Sequence, residues 1–306
     1  MIIVDQLWPH YLKSQDYSKM AEFGITISKT GSEVRNNPEN FVISWGDSVH
    51  QTRCAMIETG FFWDGIHIDS MGLYEKASFN FPMARGIIES YDAKVSFSEM
   101  QKRGLTMSKF RQSHEKVEWD GIVIAAQHPG DRSIWKAGST GDYHKFLDEA
   151  CSYYKGKAFI KLHPVVMGNA SELEIVRGIA NKHGSQCGHV DISIVDKAEF
   201  VLVYNSTFVV DAIAAGKHVV QYAPGYFWQS GVTQYTGRLI PSRIQECDKS
   251  YKSKFLDFLV WKYCFHKMTN LGKIADIVKV FASSKELFPL PDELSFASFV
   301  LGRILN

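Results

Sequence analysis

The stretch Ile122-Val-Ile-Ala-Ala-Gln-His-Pro-Gly-Asp131-Arg-Ser133 predicts one buried strand followed by a polar loop. The apolar run from Ile122 to Ala126 has the length of a strand. Pro129 and Gly130 end the run, because proline lacks the backbone N–H that a central strand needs. Asp131 therefore lies just past the carboxyl end of a strand, which is where ligands of open α/β sheets bind.

Two later stretches repeat this order of strand and polar loop. Ala158-Phe-Ile-Lys-Leu-His163-Pro164 breaks at its proline, and Phe200-Val-Leu-Val-Tyr204 runs into Asn205-Ser-Thr207 and an apolar segment that ends on Gly216. Parallel strands joined by helices have their carboxyl ends at one edge of the sheet. We therefore expect the three polar loops to meet at one edge of one sheet.

The N-terminal part of the chain has shorter strand-like segments. They lie at residues 1–4, 24–28, 41–45 and 55–57, and Glu58 follows the last of them. Their spacing indicates another parallel sheet covered by helices. Helical patterns lie at 8–23, 93–111, 142–154 and 171–184, whereas the aromatic residues 61–91 follow no regular period and predict an irregular packed loop.

Two α/β halves followed by a helical end favour the two-domain architecture called GT-B, in which two Rossmann-like α/β domains face each other across a cleft. A chain of 306 residues is long enough for two such domains. We place the first at residues 1–116 and the second at 117–245. The C-terminal helices at 246–306 are expected to pack back on the first domain.

The composition argues against several classes of protein. A net charge of +1 gives no general attraction to nucleic acid. The five cysteines are scattered without a CxxC pair, so neither a zinc site nor a disulfide framework is indicated. The segment Met1–Asp5 has no basic region and predicts a strand instead of a signal peptide, and no apolar run reaches the roughly 18 residues of a membrane span. We therefore expect a cytoplasmic protein.

The segment from Lys252 to Met268 mixes lysines with aromatic residues, and it has two interpretations. It could rest on an anionic membrane, which would make the protein peripheral to the inner membrane. The alternative is a helix packed between the two domains, since such helices commonly have one apolar stripe.

Two of the polar loops suit an anionic ligand. Lys161 adds a positive charge and His163 a hydrogen-bond donor that could contact a phosphate, although a His-Pro pair also occurs in plain surface turns. Asn205 or Ser206 predicts the N-cap of the following helix, whose free N–H groups could bind an anion. Capping with nothing bound is the alternative.

Two carboxylates follow strands, one in each half of the chain. Asp131 and Glu58 could act as nucleophile and acid/base at the anomeric carbon of a sugar. The alternatives are that Asp131 forms a turn with Ser133 and that Glu58 caps a helix. No clustered acidic pair indicates a metal site, so we expect neither a metal nor another cofactor.

Four segments in this order resemble the bacterial capsule polysaccharide synthesis proteins. More narrowly, they are similar to the retaining β-Kdo glycosyltransferase modules of that family and to the related modules that build O-antigens. The segments are Glu58-Thr-Gly-Phe61, Ile122–Gln127 with Asp131-Arg-Ser133, Lys161-Leu-His-Pro164, and Ser206 with Ala214-Ala-Gly-Lys-His-Val219. The chain departs from the family pattern at Thr59, Ala126 and His218, where Asp, Gly and Pro are common.

The resemblance implies a GT-B-like fold, CMP-Kdo as the donor and a saccharide or lipid-linked saccharide as the acceptor. The first domain would bind the acceptor and the second the nucleotide sugar. Asp131 would be the nucleophile of a double displacement, Glu58 would lie near the acceptor, and His163 and Ser206 would contact the CMP phosphate. The whole donor-binding set comprises Gln127, Arg132, Ser133, Lys161, His163, Asn205, Ser206 and Thr207. A transferase for another CMP-sugar, such as a sialyltransferase, and a non-catalytic nucleotide- or glycan-binding module remain alternatives.

Overall fold

The computed structural model describes residues 2–5, 22, 25–28, 37, 39–45, 54–62, 65–103, 114–266, 279, 295, 297 and 301. The chain divides into two compact units, Met1–Lys109 with Lys254–Asn306, and Phe110–Ser253. Apart from residue 22, the helix predicted at 8–23 lies outside the described residues, as do most of the predicted C-terminal helices beyond residue 266.

The described strands and helices alternate along most of the chain. The strands are β1 (Ile2–Asp5), β2 (Ile25–Ser28), β3 (Phe41–Trp45), β4 (Cys54–Thr59), β5 (Gly65–Asp69), β6 (Ile122–Ala125), β7 (Ala158–Lys161), β8 (Gln186–Gly188), β9 (Phe200–Val203), β10 (Val219–Gln221), β11 (Gln234–Tyr235) and β12 (Cys264–His266). The α-helices are α1 (Pro82–Ser90), α2 (Phe97–Lys102), α3 (Arg132–Ala137), α4 (Thr140–Tyr153), α5 (Ala170–Lys182), α6 (Val209–Ala214) and α7 (Lys249–Phe258).

The sheet of the second unit is parallel throughout and has the strand order β8-β7-β6-β9-β10-β11. Counted from β6 along the chain, this is the 3-2-1-4-5-6 order of dinucleotide-binding sheets, whose direction reverses between the first and fourth strands. Strands β9, β6 and β7 are neighbours, so their carboxyl ends lie side by side. The expectation that the three polar loops meet at one edge is confirmed.

The central strands of this sheet are short apolar runs in the sequence because they are buried. Both β6 and β9 are buried at every position, because helices cover the two faces of a parallel sheet. In the core, Tyr143, Phe146 and Leu147 of α4 pack in one cluster with residues of these strands. Helix α4 begins at a capping box in which Ser139 and Asp142 satisfy each other's backbone N–H groups.

The sheet of the first unit has the order β12-β5-β4-β3-β1-β2. Its strands are parallel from β2 to β4, and β5 and β12 add antiparallel pairs at the other side. The interpretation of residues 61–91 as an irregular loop was wrong, since they contain β5 and α1. Strand β5 is buried throughout, but His67 and Asp69 interrupt the apolar run by which a buried strand is recognised. The helix predicted at 93–111 is described only as α2, and residues 104–113 lie outside the described part.

The lysine- and aromatic-rich segment at Lys252–Met268 forms the end of α7, a π-helical turn at Leu259–Tyr263 and β12. Phe255, Phe258 and Trp261 are buried, so these rings pack inside the protein and do not face a membrane. The side chain of Phe265 and residue Lys267 lie outside the described residues. In the described part of the chain, no helix combines the length and the apolar character needed to cross a membrane.

Candidate functional site

The carboxyl ends of β6 and β9 flank the point where the strand order of the second sheet reverses. Connections from adjacent strands leave in opposite directions at such a point, which opens a crevice where ligands of doubly wound sheets bind. The loop after β6 carries Gln127 and Asp131, and the loop after β9 carries Asn205, Ser206 and Thr207. The structure therefore brings most of the predicted donor-binding residues to this edge.

Three of the predicted residues, Gln127, Ser133 and Asn205, bond directly to one another, and we call them the amide cluster. The Gln127 Nε2 group donates to Asn205 Oδ1 at 2.9 Å and to Ser133 Oγ at 3.2 Å. The Asn205 backbone N–H donates to Gln127 Oε1 at 3.1 Å. All three side chains are buried, so their hydrogen bonds are made within the protein.

Asp131 is the N-cap of α3. Its Oδ1 accepts the backbone N–H of Ser133 at 2.9 Å, and the side chain is half-buried. This is the contact that the turn interpretation anticipated. It engages one carboxylate oxygen and is compatible with a reactive role for the other, so the nucleophile assignment stays a prediction.

Lys161 and His163 lie at the end of the neighbouring strand β7. The Lys161 ammonium lies 5.5 Å from the centre of the Phe208 ring, and burial lowers its pKa, an effect that the Asp211 and Asp191 charges oppose. The His163 Nδ1 accepts the backbone N–H of Val165 at 3.2 Å. In the neutral ring, this bond places the proton on Nε2.

The loop after β9 differs from its sequence-based interpretation. Helix α6 begins at Val209, and its N-cap is Phe208 without a side-chain hydrogen bond, so the expected capping by Asn205 or Ser206 was wrong. The Asn205 side chain is held by the amide cluster instead, and Ser206 Oγ accepts the Phe208 N–H at 3.2 Å in a local turn. Gly216 follows the helix with a φ of +76°, as expected of a residue after a helix end.

The two remaining predicted donor residues are Arg132 and Thr207. Arg132 is exposed in the first turn of α3, and Thr207 is half-buried between β9 and α6. These positions leave their polar groups near the edge of the sheet where the polar loops meet.

The second predicted catalytic carboxylate belongs to the other unit. Glu58 is half-buried near the end of β4, so it does not cap a helix. Its Oε1 accepts the backbone N–H of Thr59 at 3.0 Å, and its Oε2 accepts the hydroxyl of Tyr74 at 3.3 Å. Tyr74 is buried and has a φ of +57°, a conformation that costs a non-glycine residue free energy.

Sequence reasoning missed two tyrosines at these sites. One is Tyr74, which contacts Glu58. The other is Tyr143 on α4, whose hydroxyl accepts the Gln127 N–H at 2.8 Å and donates to the Gln127 carbonyl at 3.2 Å. Burial raises the pKa of Tyr143, so it stays protonated and able to donate. Tyr74 and Glu58 are 16 positions apart, as are Tyr143 and Gln127, so no local sequence pattern predicts these contacts.

Comparison with known proteins adds information about the fold. No protein-family model and no curated protein matches the chain. A solved structure from Thermosulfurimonas dismutans, KpsC β-Kdo 2,7 transferase, matches with a TM-score of 0.58 at 16% identity, over 92% of this chain and 99% of that one. The β-Kdo 2,4 transferase of the same KpsC matches with a TM-score of 0.56 at 13% identity, over 86% of this chain and 91% of the other.

This chain has the fold of those two KpsC transferase structures. The likeness covers most of each chain, and it confirms the GT-B-like fold class that the sequence predicted. At these identities the likeness establishes the fold and leaves the chemistry to be argued from the residues.

Proposed function

We propose that this protein is a retaining glycosyltransferase that moves Kdo from CMP-Kdo to a saccharide acceptor in the synthesis of a capsule or O-antigen. The observation that carries the proposal is the position of the polar loops. Asp131, His163 and Ser206 follow the adjacent strands β6, β7 and β9, next to the point where the strand order reverses. The KpsC fold and the four segments similar to Kdo transferases support the same conclusion.

The second unit binds the nucleotide sugar in this proposal. Lys161 supplies a positive charge, and His163 Nε2–H and the Ser206 hydroxyl donate to the phosphate of CMP. Arg132 and Thr207 line the same edge. Because charge builds up on the phosphate as CMP departs, these groups stabilise the transition state more than the bound donor.

The reaction proceeds by two displacements. An oxygen of the Asp131 carboxylate attacks the anomeric carbon, the bond from that carbon to the CMP phosphate oxygen breaks, and CMP leaves with the bonding electron pair. An acceptor hydroxyl then attacks the same carbon, loses its proton to a base and releases Asp131 as carboxylate. Two inversions give net retention. We assign the acceptor side to the first unit and the role of base to Glu58.

Purified protein incubated with CMP-Kdo, a saccharide acceptor and EDTA should release CMP and form an acceptor–Kdo product. EDTA is present because the proposed residues need no metal. Chromatography measures the CMP, and mass spectrometry measures the product. CMP-sialic acid is the matched alternative donor, and a reaction without protein corrects for spontaneous hydrolysis.

Two results would contradict the proposal in different ways. Faster turnover of CMP-sialic acid would indicate another CMP-sugar transferase. Binding of CMP-Kdo without any product at several acceptors would indicate a non-catalytic binding module.

His163→Ala and Ser206→Ala should each weaken CMP binding by about 10-fold or more, because each removes a hydrogen bond to a charged phosphate. Isothermal titration calorimetry measures the affinity, and thermal unfolding checks that the fold is retained. The control is Ser171→Ala, which removes an exposed hydroxyl at the start of α5 and should leave the affinity unchanged. Wild-type affinity in both His163→Ala and Ser206→Ala would show that CMP lies elsewhere.

A further inference from the structure

The amide cluster occupies the point where the strand order of the second sheet reverses. Gln127, Ser133 and Asn205 are 2%, 6% and 2% exposed. The sequence placed all three in the donor-binding set. Their burial and their bonds to one another point to a different role.

The side chain of Asn205 has no hydrogen-bonding capacity left for a ligand. Its Oδ1 accepts from Gln127 Nε2 at 2.9 Å and from Ser133 Oγ at 3.2 Å. Its Nδ2 donates to the carbonyl oxygens of Ser133 and Pro224, both at 2.9 Å. A side-chain amide offers two donors and two acceptor positions, so all four are used.

These bonds tie together the segments that follow three strands. Gln127 follows β6, Asn205 follows β9 and Pro224 follows β10. The backbone of Gly225 also packs tightly against Asn205, because a Cβ atom added at Gly225 would lie only 2.6 Å from Asn205 Cβ. Hydrogen bonds therefore hold the amide group of Asn205, and the backbone of Gly225 packs against its Cβ atom.

Ser133 connects the cluster to Asp131. The Ser133 hydroxyl and carbonyl both bond to Asn205, while the Ser133 backbone N–H donates to Asp131 Oδ1. Fixing Ser133 in this way fixes the oxygen that Asp131 uses for capping. Within the described part of the chain, no hydrogen bond engages Asp131 Oδ2, which leaves that oxygen for attack.

We infer that Asn205 is a positioning residue for Asp131 and does not contact the donor. The inference rests on the proposed function, in which Asp131 is the nucleophile. Asn205 holds the start of α3 through Ser133, and Gln127 holds Asn205. Displacing a nucleophile by about 1 Å can lower the reaction rate roughly 100-fold. The hydrogen bonds that hold Asp131 in place therefore affect catalysis, although Asn205 does not contact the sugar.

Asn205→Ala should lower kcat about 10- to 100-fold while the affinity for CMP stays within about twofold. Ser133→Ala is the milder variant, because it removes the hydroxyl and keeps the backbone N–H on Asp131. It should also lower kcat without weakening CMP binding. Ser206→Ala is the matched contrast, because its hydroxyl is placed on the phosphate: it should weaken CMP binding about 10-fold or more, which Asn205→Ala and Ser133→Ala should not.

Hydrogen exchange supplies a readout that does not depend on activity. In Asn205→Ala, the peptide covering residues 127–135 should exchange at least about 10-fold faster, whereas exchange in α5 should stay as in the wild type. Absence of transfer by the wild type would count against the proposed function alone, because exchange still tests whether Asn205 holds Asp131.

Two outcomes overturn the inference. One is a loss of CMP affinity of 10-fold or more with kcat preserved in Asn205→Ala or Ser133→Ala, which would make these residues donor contacts. The other is unchanged exchange of residues 127–135 in Asn205→Ala, which would mean that the cluster does not hold Asp131.

Discussion

Asp131→Asn is expected to lower the rate of sugar transfer by about 1,000-fold or more and to leave CMP affinity within about twofold. An asparagine cannot form the glycosyl ester, because its amide is a poor nucleophile. It can still cap α3, since asparagine and aspartate are equally good N-caps, and its Oδ1 can accept the Ser133 N–H as before. Loss of activity would therefore report chemistry and not folding. Transfer kinetics and calorimetry with CMP measure the two quantities.

The covalent intermediate offers a second, independent observation. Wild-type protein mixed with CMP-Kdo and a poor acceptor should gain the mass of one Kdo on the peptide that contains Asp131. Asp131→Ser is a useful companion variant, because serine also caps helices and lacks a carboxylate. Near-normal transfer by Asp131→Asn, or an adduct on Glu58, would mean that another carboxylate is the nucleophile.

Asp69→Ala should destabilise the first unit by roughly 3 to 5 kcal/mol, which is a large part of the stability of a typical domain. Asp69 is buried at the end of β5. Its Oδ1 accepts the backbone N–H groups of Met71 and Gly72 at 2.7 and 3.3 Å, and its Oδ2 accepts the Ser78 N–H at 2.7 Å and the Tyr263 hydroxyl at 2.8 Å. Removing the carboxylate leaves these buried donors without their acceptor. Urea unfolding measures the loss.

Two variants separate the contributions to this effect. Tyr263→Phe removes a single hydrogen bond and should cost about 1 kcal/mol, because the ring keeps its stacking on Phe61. Asp69→Asn keeps one oxygen for Met71 and Gly72 and should lie between wild type and Asp69→Ala. A loss under 1 kcal/mol in Asp69→Ala would mean that water satisfies the donors, so that Asp69 does not organise the loop after β5.

The Asp69 network also explains how distant segments complete the first sheet. Tyr263 immediately precedes β12, which pairs antiparallel with β5. The hydrogen bond from Tyr263 to Asp69 thus joins residues 194 positions apart and places the returning chain beside β5. No pattern in the aromatic stretch 61–91 predicted this partner.

Much of the second unit was predictable because its signals are local. A strand buried on both faces is a short apolar run, and a proline or a polar cluster ends it within a few residues. Strands β6, β7 and β9 were found in this way, and helices α4 and α5 were found from their helical patterns. The positions of Asp131, His163 and Ser206 just past strand ends followed from the same runs, and adjacent parallel strands then brought them to one edge.

The sequence alone was sufficient for the fold class and for placing Asp131, His163 and Ser206 just past the ends of three strands. It was insufficient for the order of the strands, the antiparallel edge of the first sheet and the hydrogen-bond partners of the buried polar residues. Asn205 illustrates the reason. Its position beside Ser206 and Thr207 predicts a helix cap. In the structure, however, Asn205 Oδ1 accepts hydrogen bonds from Gln127 and Ser133, which are 78 and 72 residues away in the sequence. Those partners come together only when β6 and β9 pair. A buried amide then forms hydrogen bonds with the groups that tertiary packing places within reach.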